Sequence, residues 1–176
     1  MVHALRAWDD VQEPDSDFDR LFLREYRRVA AIAYRIVGDA DEAEDVAQDV
    51  FCSFYRRHDP AAPYAAPWLY RAAAHTALNA IRGKRRRSRR EQLAEDPPAV
   101  DDDPQQLVVD AERRREVRAA MARLSERSAS VLALRYSGLS YGEVAEALGV
   151  KIGQVGTLLR RAEAALKKEL DHDTPR

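Results

Sequence analysis

Three groups of side chains in this 176-residue chain have the types and spacing to do chemistry, and each points to binding rather than catalysis. The first is acidic. The stretch DADEAEDVAQDVF, Asp39 to Phe51, puts Asp41, Asp45, Gln48 and Asp49 on neighbouring turns of one helix, away from an apolar stripe of Val46, Val50 and Phe54. Acids held this close repel one another unless a basic partner meets them; the plain alternative is a solvated face. A metal or acid–base site would need a histidine at ligand spacing or a pocket-forming glycine loop, and neither accompanies them.

The second group is basic. Arg82 to Arg90 holds seven Lys/Arg in nine residues, enough to attract a polyanion through counterion release, although a solvated helix end has the same composition. The third group is YGEVAEALGVKIGQVGTLLR, Tyr141 to Arg160, with apolar positions Val144, Leu148, Val150, Val155 and Leu158. Ala145 is small where a second helix must cross, and Gly149 can take positive φ at the turn between helices. Ser140 with Glu143 forms a capping box, and Leu139 with Val144 a hydrophobic staple. This is a helix-turn-helix pattern. Its second helix offers Lys151, Gln154, Thr157, Arg160 and Arg161, side chains able to meet base edges or phosphates, while Gly153 and Gly156 weaken it. An ordinary helical hairpin in a small core is the competing reading.

The elements that carry these groups are helical throughout. Phe18, Leu21, Phe22, Val29, Ile32, Ala33 and Ile36 line one helix face ending near Gly38, with Ser16 and Asp19 at its start. Asp39 and Glu42 open a second helix, which runs to about His58. Residues 59–67 contain three prolines and read as a loop; a third helix is expected from Trp68 to about Arg87, turning from apolar to basic along its length. Residues 91–110 have no basic residue and no apolar period, so they read as a flexible linker. Helices resume near Asp110 through Val117, Met121 and Leu124, then over Ser125 to Ser137, and finally to about Leu170. No strand signal is present, so the expected fold is all-α, two small helical domains joined by an acidic linker.

Composition bounds the rest. The net charge of −1 hides alternating blocks: −6 over residues 1–59, +7 over 60–92, −7 over 93–112 and +5 over 113–176. Cys52 is the only cysteine, which excludes an internal disulfide and a thiolate metal cluster. No run approaches the roughly 18 apolar residues that span a bilayer, and the N-terminus lacks a signal-like apolar stretch, so a cytoplasmic protein without membrane insertion is expected. Two lean cores suit the length better than one large core.

In this order, the helix with DADEAEDVAQDVF, the Pro-containing loop, PWLYRAAAHTALNAIRGKRRR, the acidic linker and LSERSASVLALRYSGLSYGEVAEALGVKIGQVGTLLRRAEAAL resemble the group IV, extracytoplasmic-function (ECF) sigma factors of bacterial RNA polymerase. The resemblance spans residues 18 to about 168. It implies a leader over 1–15, a region 2-like domain over 16–90, a linker over 91–110, a region 4-like domain over 111–170 and a tail over 171–176. It implies that Asp45, Gln48 and Asp49, with Asp41 nearby, dock on the β′ clamp coiled coil, and that the second domain meets the β flap. Residues 59–66 and the following helix correspond to the part that opens the −10 element.

There Tyr64 can stack on an extruded base, Trp68 begins the WLYR phrase, and His75 and Asn79 stand where the family commonly has Asn and Asp. Arg82, Arg85 and Arg86 would track phosphates. The plainer readings are a core anchor for Trp68 and a surface histidine for His75. The −35 reader would be Lys151, Gln154, Thr157, Arg160 and Arg161, with Gly156 and Leu158 standing where basic residues are frequent. The implied function is a non-enzymatic initiation factor without cofactor or metal, binding core polymerase and promoter DNA and commonly held by an anti-sigma factor. A helix-turn-helix regulator acting without polymerase fits the C-terminal half equally but leaves the acidic helix and basic third helix without a role; an interaction protein sequestering a partner leaves both basic blocks incidental.

Overall fold

The chain is seen in a computed structural model that describes residues 16–91 and 105–173, with side chains over 16–88 and 111–171. The expected leader, most of the acidic linker and the last residues of the tail lie outside the described residues.

Helix α1, Asp17–Val37, starts at the expected capping pair. The Ser16 hydroxyl accepts from the Asp19 backbone at 3.1 Å, and the Asp19 carboxylate accepts in return from the Ser16 backbone at 3.1 Å. Leu21, Val29, Ile32, Ala33 and Ile36 are buried along its apolar stripe, while Phe18 and Phe22 at the same spacing are only partly covered. It ends at Gly38 with φ 70°, and Asp39 immediately caps helix α2, Ala40–Tyr55, by accepting from the Glu42 backbone at 2.9 Å.

Helix α3, Ala65–Glu91, begins earlier and ends later than the sequence predicts. Pro67 lies inside its first turn. That is compatible with a helix because the first N–H groups have no intrahelical acceptor, so proline loses nothing there. Helix α4, Gln105–Arg123, likewise starts inside the segment expected to be linker. From Gln105 to Ser137 the sequence has neither proline nor glycine, and acidity alone does not stop a helix.

Helix α5, Glu126–Tyr136, is capped by Ser125, and helix α6, Tyr141–Leu148, by the Ser140 and Glu143 box. The turn after α6 is a Schellman motif: the Val150 N–H donates to the Ala145 carbonyl at 3.0 Å, with Gly149 at φ 63°. Helix α7, Ile152–Asp173, completes the fold, and all seven elements among the described residues are helices.

Helices α1, α2 and α3 pack together, and α7 packs on α4, α5 and α6. The two groups also touch. α3 lies against α5 and α6, α1 lies against α5, and the buried side chains form one continuous cluster from Leu21 to Ala162. The lean cores expected of the two groups therefore merge into one. The cause is the length of α3, which borders α1 and α2 and also reaches α4, α5 and α6.

Candidate functional site

On α2, burial divides the residues cleanly. Ala43, Val46, Ala47, Val50, Phe51 and Phe54 face inward, and Asp41, Asp45, Gln48 and Asp49 are all exposed. Among the described residues no cation pairs with Asp41, Asp45 or Asp49, so their charge is uncompensated within the chain. Gln48 touches the Tyr26 hydroxyl, whose pKa is raised by burial and by the charge of Glu44 against the opposing Gln48 bond.

Beside this stripe lies an aromatic cleft of about 810 Å³. Phe18, Phe22, Phe51 and Tyr55 wall it, with Gln48 and Cys52 at its edge. The sequence pattern places Phe18 and Phe22 in the core instead. The rings meet at centroid distances of 4.8 Å for Phe18 and Tyr55 and 4.9 Å for Phe22 and Phe51, mostly edge to face. Tyr55 is 68% exposed. The sequence signal for the cleft is the four-residue spacing of Phe18, Phe22 and Tyr26 and of Phe51 and Tyr55: an aromatic row at the margin of an apolar stripe is solvent-facing on one side.

Of the residues expected at the −10 element, Tyr64 is half exposed and touches the His58 ring edge-on at 5.9 Å. Trp68 packs on Phe54 at 5.4 Å and on His58 at 4.5 Å, so it anchors the start of α3 to α2. His75, Asn79 and Arg82 follow on successive turns of one face of α3, and this face is turned toward α4 and α5. The His75 Nδ1 is 2.9 Å from the Glu126 carboxylate, and its Nε2 is 2.9 Å from the Asn79 amide nitrogen. Arg82 donates to the Ala122 carbonyl at 3.2 Å and the Leu124 carbonyl at 2.6 Å. These carbonyls flank the end of α4, where the last turn leaves acceptors unfilled and a cation is favourable. Arg85 and Arg86 are exposed, and Lys84 pairs with Glu42 at 2.9 Å.

A second bridge joins the two helix groups. Tyr70 donates to the buried Glu25 at 2.5 Å, Arg28 donates to the Tyr70 hydroxyl at 3.1 Å, and the same guanidinium meets Glu143 at 2.8 Å. Burial and the Glu25 bond push the Tyr70 phenol up to about 12. Glu143 is held below the usual carboxylate range, first by the Ser140 backbone bond and also by Arg28. Glu126 is held low by its bond to His75, with burial opposing. None of these cross-links is legible in the sequence, because their partners lie between 40 and 115 residues apart.

In the helix-turn-helix, Lys151, Gln154, Thr157, Arg160 and Arg161 are exposed on one end of α7, while Val155 and Ala162 are buried behind them. The Lys151 backbone donates to the Gln154 side-chain oxygen at 3.0 Å, which closes the start of α7. Ile152, 60% exposed at that tip, is an addition: it lies off the buried stripe, and an apolar side chain there suits a thymine methyl group. A Cβ on Gly153 would meet nothing within 4 Å, and one on Gly156 only a Tyr141 ring carbon at 3.7 Å, so the protein's own packing requires neither glycine.

Comparison with known proteins agrees with this architecture. Residues 21–87 match the family described as Sigma-70 region 2, and residues 114–166 match Sigma-70, region 4. The chain is 32% identical over 167 residues to the RNA polymerase sigma-H factor of Pseudomonas aeruginosa, covering 87% of this chain and 86% of that protein. It is 29% identical over 155 residues to the ECF RNA polymerase sigma factor SigW of Bacillus subtilis, covering 81% and 83%. In fold it resembles the sigma factor RpoE of Bartonella quintana, solved with the anti-sigma factor NepR, with a TM-score of 0.53, 23% identity and coverage of 90% of this chain and 99% of that one. With region 2 and region 4 in one chain, and relatives of this similarity along most of its length, the protein belongs to the ECF group of RNA polymerase sigma factors.

Proposed function

We propose that this sigma factor docks on core RNA polymerase through the exposed stripe Asp41, Asp45, Gln48 and Asp49, using the adjoining aromatic cleft for apolar contact. The observation that carries this assignment is the absence of any cation paired with Asp41, Asp45 or Asp49 among the described residues: a basic coiled coil supplies what the chain itself does not. Tyr64, His75, Asn79, Arg82, Arg85 and Arg86 serve the −10 element, with Trp68 fixing the start of their helix. Lys151, Ile152, Gln154, Thr157, Arg160 and Arg161 serve the −35 element. The chain acts without catalysis of its own, in the cytoplasm, and residues 16–90 and 111–170 work as two domains on the linker between them.

In this reading the compact form is a resting state. His75 is engaged by Glu126 of α5 and Arg82 by the carbonyls at the end of α4, while Asn79 is held by His75, so the second helix group must leave α3 before a melted strand can reach this face. The exposed pairs Arg28 with Glu143 and His75 with Glu126 contribute little each, so separation costs chiefly the apolar packing of α3 and α1 on α5 and α6. An anti-sigma factor is a fitting partner for either form, because a solved structural relative is a complex of that kind. A regulator that reads duplex DNA alone would have no use for the acidic stripe.

The test is a binding titration of the fluorescently labelled chain with purified core polymerase. Reversal of Asp45 and Asp49 to lysine is expected to weaken binding at least tenfold with the helical circular dichroism unchanged. Equal binding by the reversed variant would remove the stripe from the interface.

A further inference from the structure

A cleft of about 340 Å³ opens between the end of α1 and the middle of α4, and its charge is one-sided. It is lined by Tyr34, Arg35 and Gly38 from the first helix group and by Arg113, Arg114 and Arg118 from the second. Four guanidinium groups thus border one concavity, and among the described residues no carboxylate lines it. Among the described residues no carboxylate forms an ion pair with Arg35, Arg113 or Arg118.

Arg118 is the most telling. Its guanidinium lies over Gly38, where a Cβ would come within 3.6 Å of Nη2, and its Nε is buried with no hydrogen-bond partner. A guanidinium held against backbone with one N–H covered and unpaired is partly dehydrated, which strengthens its attraction for an anion at its remaining N–H groups. The nearest acid in sequence to Gly38, Asp39, is committed elsewhere, because its carboxylate caps α2 at the Glu42 N–H. The negative end of α1 opposes an anion with a partial charge of roughly half an electron, which Arg35, Arg113 and Arg118 outweigh. Tyr34 also lines the cleft.

We propose that this cleft is a phosphate-binding site for a di- or triphosphate group, held by Arg35 and Arg118 from opposite walls and flanked by Arg113 and Arg114. Arginine forks match phosphate oxygens two at a time, and a compact polyanion neutralises several guanidinium groups at once where an isolated chloride neutralises one. Because Arg35 belongs to α1 and the others to α4, the ligand grips both helix groups together. It therefore favours the compact form over any form in which they part, by the ordinary rule that a ligand stabilises the state it binds better. This consequence for promoter capture rests on the resting-state reading above; the site itself does not.

The experiment uses the full chain and inorganic tripolyphosphate as probe, followed by titration calorimetry at near-physiological salt, with inorganic sulfate as the control anion. Saturable binding to one site is expected, weakened at least tenfold by Arg35→Ala with Arg118→Ala and unchanged by Lys167→Ala with Lys168→Ala, which are exposed on α7 away from the cleft. Arg113→Gln, an exposed change that disturbs no packing, is expected to weaken binding severalfold and guards against a folding defect in the double variant. A single-stranded DNA arm separates the sources of phosphate: tighter DNA binding that disappears in the same variants assigns the site to a nucleic-acid backbone, and tighter tripolyphosphate binding assigns it to a free oligophosphate. Failure of tripolyphosphate and DNA alike to distinguish wild type from the Arg35 and Arg118 variant overturns the proposal. That failure would leave polymerase docking untouched, because docking is read by the separate titration on α2.

Discussion

At the scale of single residues, the informative side chains are those whose surroundings leave a demand unmet. Among the described residues Asp45 and Asp49 have no ion-pair partner, and both are exposed, so their reversal is expected to alter binding and not stability. Glycines divide in the same way. Gly149 stands at φ 63°, where a β-branched side chain is strained, and Gly149→Val is expected to lower stability by about 1–2 kcal/mol in thermal or denaturant unfolding. Gly156 lies within α7 at ordinary φ with room for a methyl group, and Gly156→Ala is expected to raise stability by about 1 kcal/mol in the same measurement. If Gly156→Ala also weakens promoter binding, the glycine is kept for close approach to DNA rather than for the fold.

At the scale of elements, helix starts that carry capping residues are legible in the sequence, whereas the starts of α3 and α4 are displaced from where the sequence puts them. Ser16 with Asp19, Asp39, Ser125, and Ser140 with Glu143 mark four helix starts, because a cap needs only residues a turn apart. The starts of α3 and α4 escape a local reading for opposite reasons. Proline reads as a barrier, yet the first turn accepts it; acidity reads as disorder, yet nothing in that stretch breaks the helix. The recognition helix shows itself by its spacing, whereas Ile152 does not, because an exposed apolar residue leaves no mark in a periodicity. The charged end of that helix gives a clear expectation. Replacing Arg160 and Arg161 by alanine should weaken promoter-DNA binding and reduce the slope of log affinity against log salt by about 2, roughly 0.9 for each phosphate no longer neutralised. An unchanged slope removes both arginines from the DNA interface.

For the whole molecule, the packing between the two helix groups governs behaviour, and the sequence is silent about it. His75 and Asn79 stand out as candidate base contacts, yet nothing local to them announces Glu126. Arg82 stands out in a basic run that suits phosphates, yet nothing near it announces the Ala122 and Leu124 carbonyls that it meets at the end of α4. Two carboxylates between the groups, Glu126 and Glu143, have pKa values below the ordinary range. Facing Glu126 are His75, Arg82 and Arg71, and facing Glu143 are Arg28 and the Ser140 cap. The groups that lower Glu126 lie on α3, so it contributes to closure above its free pKa of about 4.3 and loses that contribution as pH falls through its lower value. Glu143, by contrast, is lowered first by the Ser140 cap of its own helix and only in lesser part by Arg28 across the groups. The compact form is therefore expected to persist at neutral pH and loosen below about pH 4.3, visible as a growing radius of gyration in small-angle scattering before helicity declines. Glu126→Gln is expected to remove part of this pH dependence while leaving helicity at neutral pH unchanged.

The central claim is that one chain carries polymerase docking and promoter selection together, and transcription itself tests it most directly. Purified core polymerase should be supplied with fragments of genomic DNA, with and without this chain, and run-off products sequenced. Discrete transcripts starting from a small set of sites are predicted only when the chain is present, and they should disappear with the Asp45 and Asp49 charge reversal. Products indistinguishable from those of core enzyme alone, from a chain shown to be folded and free of bound inhibitor, would contradict the account.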